Sequence, residues 1–132
     1  MDTLGYFLSS EEHSPAALVH QARAVEEAGF DSVFISDHFH PWNDRQGESA
    51  FVWSVIGAIA GSTRLTVTTG VTCPTVRIHP AVIAQAAATC QLLCEGRFRL
   101  GVGSGEKLNE HILGDRWPSA QVRRRCSRRR WR

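Results

Sequence analysis

Short β-branched runs alternate with apolar-faced helical segments along most of this 132-residue chain, and the alternation constrains its fold more than any other feature. The strand candidates are Gly5–Leu8, Ser32–Ser36, Leu65–Val71 and Phe98–Val102, and a helical pattern follows each. Alternation at about 30 residues per unit predicts parallel strands joined by right-handed crossovers. Two architectures satisfy it: an open doubly wound α/β sheet, or the first part of an eight-fold barrel. Because a full barrel takes about 250 residues, this chain would supply about half of one.

The ends of the predicted helices carry recognisable signals. Ser14 and Pro15 offer an N-cap followed by proline at the first helical position, and Gly29 can take the left-handed conformation that ends a helix. The second helix is predicted from Ser49 to Ala60, and the third from His79 to about Cys94. The helical segments therefore begin and end where the alternation requires.

The charge of the chain divides it near residue 120. Residues 1–120 carry eight basic and thirteen acidic side chains, a net charge of −5, whereas residues 121–132 hold seven arginines and no acid. A run of arginines is typical of a basic arm that binds nucleic acid. We favour a different origin, a shifted reading frame in GC-rich coding DNA. We therefore expect a folded α/β domain over 1–120, a disordered tail over 121–132, and no nucleic-acid partner.

The composition favours a cytoplasmic protein without a membrane segment. No stretch approaches the roughly 18 uninterrupted apolar residues that a membrane span needs, and the N-terminus lacks the pattern of a secretory signal. The four cysteines show no CxxC spacing, which favours reduced thiols. Cys90 and Cys94 lie four residues apart on a predicted helix, and we interpret them as buried thiols rather than metal ligands.

An acid, two histidines and a tryptophan follow the second predicted strand: Asp37, His38, His40 and Trp42. The carboxyl ends of parallel strands are where α/β proteins bind ligands. An imidazole titrates near neutrality, and a neighbouring carboxylate such as Asp37 can orient it for proton transfer. The His38-x-His40 pair also matches the start of metal-dependent amidohydrolases, so a metal hydrolase is an alternative from another function class.

A glycine-rich loop, Gly101 to Glu106, follows the fourth predicted strand. Its GxGxG spacing lacks the final glycine of a dinucleotide fingerprint, and the fingerprint belongs after the first strand. We interpret the loop as one whose backbone approaches a ligand closely. Glu106 is then either a general acid or a favourable charge at a helix N-terminus, and both interpretations stay open.

Five segments, in order over residues 3–118, together resemble the bacterial luciferase-like superfamily. Within it they are most similar to the coenzyme F420-dependent oxidoreductases, including the glucose-6-phosphate dehydrogenase type. The segments are Ser36-Asp37-His38 with Pro41-Trp42, Thr69 through Thr75, His79-Pro80-Ala81 into Gln85-Ala86, Gly96 through Glu106, and Asn109-Glu110.

The resemblance implies the N-terminal half of a luciferase-like (β/α)8 TIM barrel, about four βα units long, that binds its cofactor at the carboxyl ends of the strands. It implies hydride transfer between a small-molecule substrate, such as a sugar phosphate or an alcohol, and coenzyme F420. Among the catalytic residues, His38 would be the base, Trp42 would help to hold the site, and Glu106 would donate a proton. The residues that match cofactor contacts are Asp37, Gly70, Val71, Cys73, Gly103 and Asn109.

Further expectations, and one alternative, come with the resemblance. The family carries a non-prolyl cis peptide bond at the place that matches Gly70–Val71, and its full-length members are expected to be homodimers. The runner-up is an FMN-dependent monooxygenase of the same superfamily. We expect little independent activity from this chain, because half a barrel lacks the later loops that usually grip phosphate in this fold.

Overall fold

The computed structural model of the chain describes residues 4–74, 76–114 and 116–130, with side chains described up to residue 125. Helices and strands alternate along it as predicted. The elements, in chain order, are β1 (Gly5–Leu8), α1 (Pro15–Glu27), β2 (Ser32–Ile35), α2 (Val52–Ala60), β3 (Thr66–Thr69), α3 (Pro80–Leu93), β4 (Phe98–Arg99), α4 (Lys107–Glu110), a 3-10 turn (His111–Leu113) and α5 (Ala120–Arg130).

The four strands form one parallel sheet in the order β1-β2-β3-β4. In the register of the sheet, Phe7 lies beside Phe34, and Thr68 lies beside Arg99. A doubly wound sheet reverses its strand order at a switch point, whereas sequential order with right-handed crossovers puts every helix on the same face. The structure therefore decides between the two predicted architectures in favour of the barrel type.

The two faces of the sheet differ in burial, as expected when the helices cover only one of them. Phe7 and Phe34, on the face opposite the helices, are 54% and 43% exposed. The other face packs against the helices and forms the core. Its strand members are Leu8, Val33, Ile35, Val67 and Phe98, and its helix members include Leu18, Ala22, Val52, Ile56, Ile59 and Ile83.

The predicted helix signals are confirmed. The Ser14 side chain accepts a hydrogen bond from the Ala17 N–H at 3.3 Å, and Pro15 occupies the first helical position. His79 caps α3 through its ring, which accepts from the Ala81 N–H at 3.2 Å. Gly29 takes a φ of +87°, the left-handed conformation expected after a helix.

The fourth strand is shorter than predicted. It ends at Arg99, and Val102 only forms an isolated bridge with Thr72. The reason lies in Thr69, whose Oγ1 donates to the Gly101 carbonyl and accepts from the Gly101 N–H, both at 3.1 Å. The Thr69 side chain thus pairs with backbone groups that would otherwise extend the hydrogen-bond ladder between β3 and β4. The two segments come so close that a Cβ on Gly101 would lie 2.0 Å from the Thr69 carbonyl oxygen.

The outer surfaces of α2 and α3 are apolar, and neither helix contains a charged residue. Phe51, Val82 and Leu93 lie more than half exposed around a groove of about 360 Å³ between the two helices. Exposed apolar patches of this kind often mark surfaces that interact with another protein or a ligand. No helix in the described part of the chain is long and apolar enough to cross a membrane.

Residues 120–130 form helix α5, where we expected a tail without regular structure. Arginine is a good helix former, and Arg123 also anchors the first turn of α5. Its guanidinium donates to the carbonyls of Ser104 (3.1 Å) and Pro118 (2.7 Å) and lies 4.6 Å from the centre of the Trp117 ring. Residues 131 and 132 lie outside the described residues, and the origin of the arginine run stays a prediction.

Leu18→Ala should destabilise the fold strongly, whereas Leu92→Ala should not. Leu18 is 0% exposed in α1, and Leu92 is 81% exposed in α3. We expect Leu18→Ala to lower the free energy of unfolding by about 2–5 kcal/mol, because it leaves a cavity in the core. Urea unfolding of both variants measures the difference, and an equal effect of the two changes would contradict the assigned core.

Gly101→Ala tests the close approach of β3 and the loop after β4. The added methyl group meets the Thr69 carbonyl oxygen, so we expect a loss of at least about 2 kcal/mol in the free energy of unfolding. Gly57→Ala is the matched control, because a Cβ there would meet only Leu93, at 3.9 Å, in the interior of α2. That control should be neutral or stabilising by up to about 1 kcal/mol in the same thermal or urea melts.

Candidate functional site

The loops that follow the four strands meet at one edge of the sheet. Since the strands are parallel, all four carboxyl ends point the same way. The loop after β1 brings Glu11 to this edge, the loop after β2 brings His38, the loop after β3 brings Arg77, and the loop after β4 brings Glu106. We call this the carboxyl edge.

A buried carboxylate orients the ring of His38. His38 Nδ1 is hydrogen-bonded to Glu11 Oε1, and Glu11 is only 3% exposed. The other Glu11 oxygen accepts from the hydroxyls of Ser36 (2.7 Å) and Ser9 (3.0 Å). Burial acts to raise the pKa of Glu11, but the hydrogen bonds from His38, Ser36, its own backbone and Ser9 outweigh it and lower the pKa to about 2.

The Glu11 carboxylate determines which His38 nitrogen can act as a base. An ionised carboxylate only accepts hydrogen bonds, so Nδ1 carries the proton and Nε2 is the basic nitrogen of the neutral ring. The His38 side chain is 20% exposed, which leaves it within reach of a bound molecule. Trp42 packs edge-to-face against the ring, with 5.1 Å between centroids, and is itself 55% exposed. This arrangement suits a base on a substrate hydroxyl.

Asp37 lies buried beside His38 and is held by partners from the protein. One of its carboxylate oxygens accepts from Arg77 Nη2, and the other accepts from Thr72 Oγ1, both at 2.8 Å. Arg77 also donates to the Glu110 carboxylate. Burial acts to lower the pKa of Arg77, but the carboxylates of Asp37 and Glu110 raise it above its ordinary value. Arg77 therefore remains a cation at the carboxyl edge.

Glu106 and Asn109 form a second hydrogen-bonded pair at this edge. Glu106 caps α4, accepting from the Asn109 N–H and, at 2.7 Å, from its side-chain amide. The Asn109 carbonyl oxygen accepts from the N–H groups of Phe39 (2.7 Å) and His40 (2.6 Å). Of the two open interpretations of Glu106, its place as the helix cap is therefore observed, and its role as a proton donor stays a prediction.

The Gly70–Val71 peptide bond is cis, as the resemblance implied. Val71 is 41% exposed at the carboxyl edge, and Gly103 lies against it: a Cβ on Gly103 would stand 2.6 Å from Val71 Cγ2 and 3.1 Å from Cys73 Sγ. Only glycine fits there without displacement. Burial, followed by the charge of Glu110, raises the pKa of Cys73 to about 11, so this thiol is neutral near pH 7.

The described residues contain no group of three or more His, Cys, Asp or Glu side chains that could hold a metal ion. His38 Nδ1 is engaged by Glu11, and His40 is exposed, with its ring edge-to-face on Phe39. Cys90 and Cys94 are buried in the core, and burial raises the pKa of Cys90 to about 11. Within the described residues, His38 and His40 therefore do not belong to a group of ligands that would support the metal-hydrolase alternative.

Sequence reasoning missed Glu11 and Arg77. Glu11 is one of two adjacent acids just after the first strand, so a search for acids after every strand, rather than only after the second and fourth, would have found it. Arg77 lies in a loop between Pro74 and the cap of α3, with no local pattern that marks it. Its partners come from positions more than 30 residues away in the chain.

Comparison with known proteins places these features in one family. The family model of the luciferase-like monooxygenases matches residues 3–126. An F420-dependent glucose-6-phosphate dehydrogenase of Beutenbergia cavernae is 47% identical over 121 residues, 91% of this chain and 36% of the relative. An F420-dependent hydroxymycolic acid dehydrogenase of Mycobacterium tuberculosis is 45% identical over 113 residues, 85% of this chain and 31% of the relative.

A solved structure agrees with the sequence relatives. An F420-dependent secondary alcohol dehydrogenase in complex with an F420-acetone adduct superposes with a TM-score of 0.92 at 39% identity, covering 97% of this chain and 39% of that one. The chain thus spans about a third of the length of the curated relatives it matches. With its parallel βα units, its cis Gly70–Val71 bond and its match over residues 3–126, the chain belongs to the luciferase-like monooxygenase family.

Proposed function

We propose that this chain forms the cofactor side of an oxidoreductase that transfers hydride between a small alcohol, such as a sugar phosphate or secondary alcohol, and coenzyme F420. The Glu11–His38 pair at the carboxyl edge carries the proposal, because it supplies an oriented base where the fold binds ligands. The relatives named above, all F420-dependent dehydrogenases, support the choice of cofactor.

The residues at the carboxyl edge fit a flat aromatic cofactor. Phe39, Trp42, Val71 and Val102 come from the loops after β2, β3 and β4, and each is between 41% and 55% exposed. Exposed apolar side chains around a few polar groups are what a binding site for an aromatic ring requires. When bound, a deazaflavin supplies the hydride acceptance, and the protein supplies position and proton transfer.

His38 would take the hydroxyl proton of the substrate as hydride leaves the adjacent carbon. The proton goes to Nε2, and the Glu11 carboxylate stabilises the imidazolium that forms. Trp42, which packs edge-to-face on the ring, would limit its rotation. We retain Glu106 as the proposed proton donor, and Gly70, Val71, Cys73 and Gly103 as cofactor contacts. For Asp37 and Asn109, whose hydrogen bonds go to protein groups, we propose that they act by holding the loops.

Two wider proposals concern the whole enzyme. The chain covers about a third of its relatives, and we propose that turnover requires barrel units beyond these four, since phosphate is usually gripped by the later loops of this fold. The predicted homodimer also stays a proposal, which the charge-free outer surfaces of α2 and α3 support.

Cofactor titration tests the proposed function against its runner-up. We expect coenzyme F420 to bind the purified chain and to bind more tightly than FMN, as measured by the change in cofactor fluorescence. Tighter binding of FMN would favour the monooxygenase alternative, and a chain that binds neither cofactor would contradict the proposal.

Two other measurements check the alternatives from other function classes. Zinc analysis of the protein checks the metal-hydrolase alternative. Salt-dependent DNA binding with and without residues 121–132 checks the nucleic-acid alternative.

Glu11→Gln should remove a pH-dependent part of the stability. Because the pKa of Glu11 is lowered from 4.5 to about 2, its carboxylate stabilises the fold fully above pH 4.5, and this contribution is lost as the pH falls towards 2. We expect Glu11→Gln to cost on the order of 2 kcal/mol at pH 7 and clearly less at pH 3. Urea unfolding at both pH values measures this, with Glu12→Gln at the exposed neighbour as control. A cost for Glu11→Gln that does not change with pH would contradict the ionised, hydrogen-bonded carboxylate.

A further inference from the structure

A buried ion triad of Asp37, Arg77 and Glu110 joins the loops after β2 and β3 to helix α4 at the carboxyl edge. We infer that this triad, together with Asn109, is a brace that sets the position of His38, so that Arg77, Glu110 and Asn109 are positioning residues of the site. The chemical role of His38 rests on the proposed function. The brace itself is a statement about the loops and can be tested without a cofactor.

The triad is almost completely withdrawn from solvent. The side chains of Arg77, Asp37 and Glu110 are 7%, 2% and 1% exposed. Arg77 Nη2 donates to Asp37 Oδ1 at 2.8 Å, while Nε and the backbone N–H of Arg77 donate to the two Glu110 oxygens at 3.3 and 3.1 Å. One guanidinium therefore connects the loop after β2 to helix α4.

The contacts of the brace flank His38 on both sides. Before it, Arg77 Nη2 donates to the main-chain carbonyl of Asp37 at 3.2 Å, so it holds the very peptide group that joins Asp37 to His38. After it, the Asn109 side chain accepts from the N–H groups of Phe39 and His40. Asn109 and Glu110 are consecutive residues of α4. A single segment of α4 thus acts on both flanks of His38, directly through Asn109 and indirectly through Arg77, which Glu110 binds.

The energetics of buried ions favour positioning over stability. A buried ion network is often no more stabilising than apolar residues of similar volume, because three charges lose their hydration. Apolar side chains would fill the space, but they would not direct a peptide group. The planar guanidinium has donors at fixed angles, so it can align a carboxylate, a carbonyl and a second carboxylate at once.

The reactivity of the His38 ring towards diethylpyrocarbonate measures its position directly. The reagent modifies an accessible neutral ring nitrogen, and tandem mass spectrometry of the tryptic peptides gives the rate for each histidine. His20, exposed on α1 and distant in sequence, is the internal reference. In Arg77→Met we expect the His38 rate to rise several-fold while the His20 rate stays the same. Arg77→Lys should give an intermediate rate, because one ammonium cannot reach both carboxylates and the carbonyl.

Arg64→Met is the matched control. Arg64 pairs with Glu95 on the surface, where the two side chains are 74% and 65% exposed, so removal of this arginine should leave the His38 rate unchanged. If Arg77→Met is unfolded by circular dichroism, Glu110→Gln carries the test, because it keeps the shape of the side chain and removes one charge. We expect a smaller rise of the His38 rate in that folded variant.

The outcomes separate the brace from the proposed function. An unchanged His38 rate in a folded Arg77→Met or Glu110→Gln protein would overturn the brace, as would a parallel rise of the His20 and His38 rates. A selective rise of the His38 rate supports the brace, even if the wild-type chain fails to bind coenzyme F420 in the fluorescence titration. Failure of that titration counts against the proposed function alone.

Discussion

Within the described part of the chain, three carboxylates lie at the carboxyl edge with no more than 3% exposure: Glu11, Asp37 and Glu110. A buried charge is tolerated only when hydrogen bonds and opposite charges replace its lost water, so each carboxylate needs several partners. Most of these partners come from other loops, since a short loop cannot supply them all by itself. The demand for partners therefore joins the loops after β1, β2 and β3 to α4, and most of the site geometry follows from it.

The same edge combines two levels of exposure. The polar groups that orient the loops are buried, whereas His38, Trp42, Val71 and Val102 remain partly open to solvent. A preorganised site needs this division, because groups that touch a ligand must be held by groups that do not. The open sheet face, with Phe7 and Phe34 exposed, is another surface that the described part of the chain leaves uncovered.

Much of the fold was predictable from short stretches of sequence. The cap at Ser14 and the left-handed Gly29 each depend on contacts within about four residues, and both are observed. The length of β4 was not predictable in this way. It depends on Thr69, some 30 residues earlier, whose side chain takes the backbone groups of Gly101. The helix over 120–130 was missed because the arginine run shows no apolar face from which a packed helix could be read.

By itself the sequence determined the βα alternation, the resemblance to the luciferase-like superfamily and the grouping of His38, Trp42, Glu106 and Asn109 at one end of the strands. Only the tertiary structure decided that the helices cover one face of the sheet, that Glu11 orients His38, and that Arg77 joins Asp37 to Glu110. The physical reason is the distance along the sequence over which each kind of interaction acts. Periodicity, caps and turns act between near neighbours, whereas the partner of a buried charge is chosen by strand order and register, which bring together residues 27 to 40 positions apart.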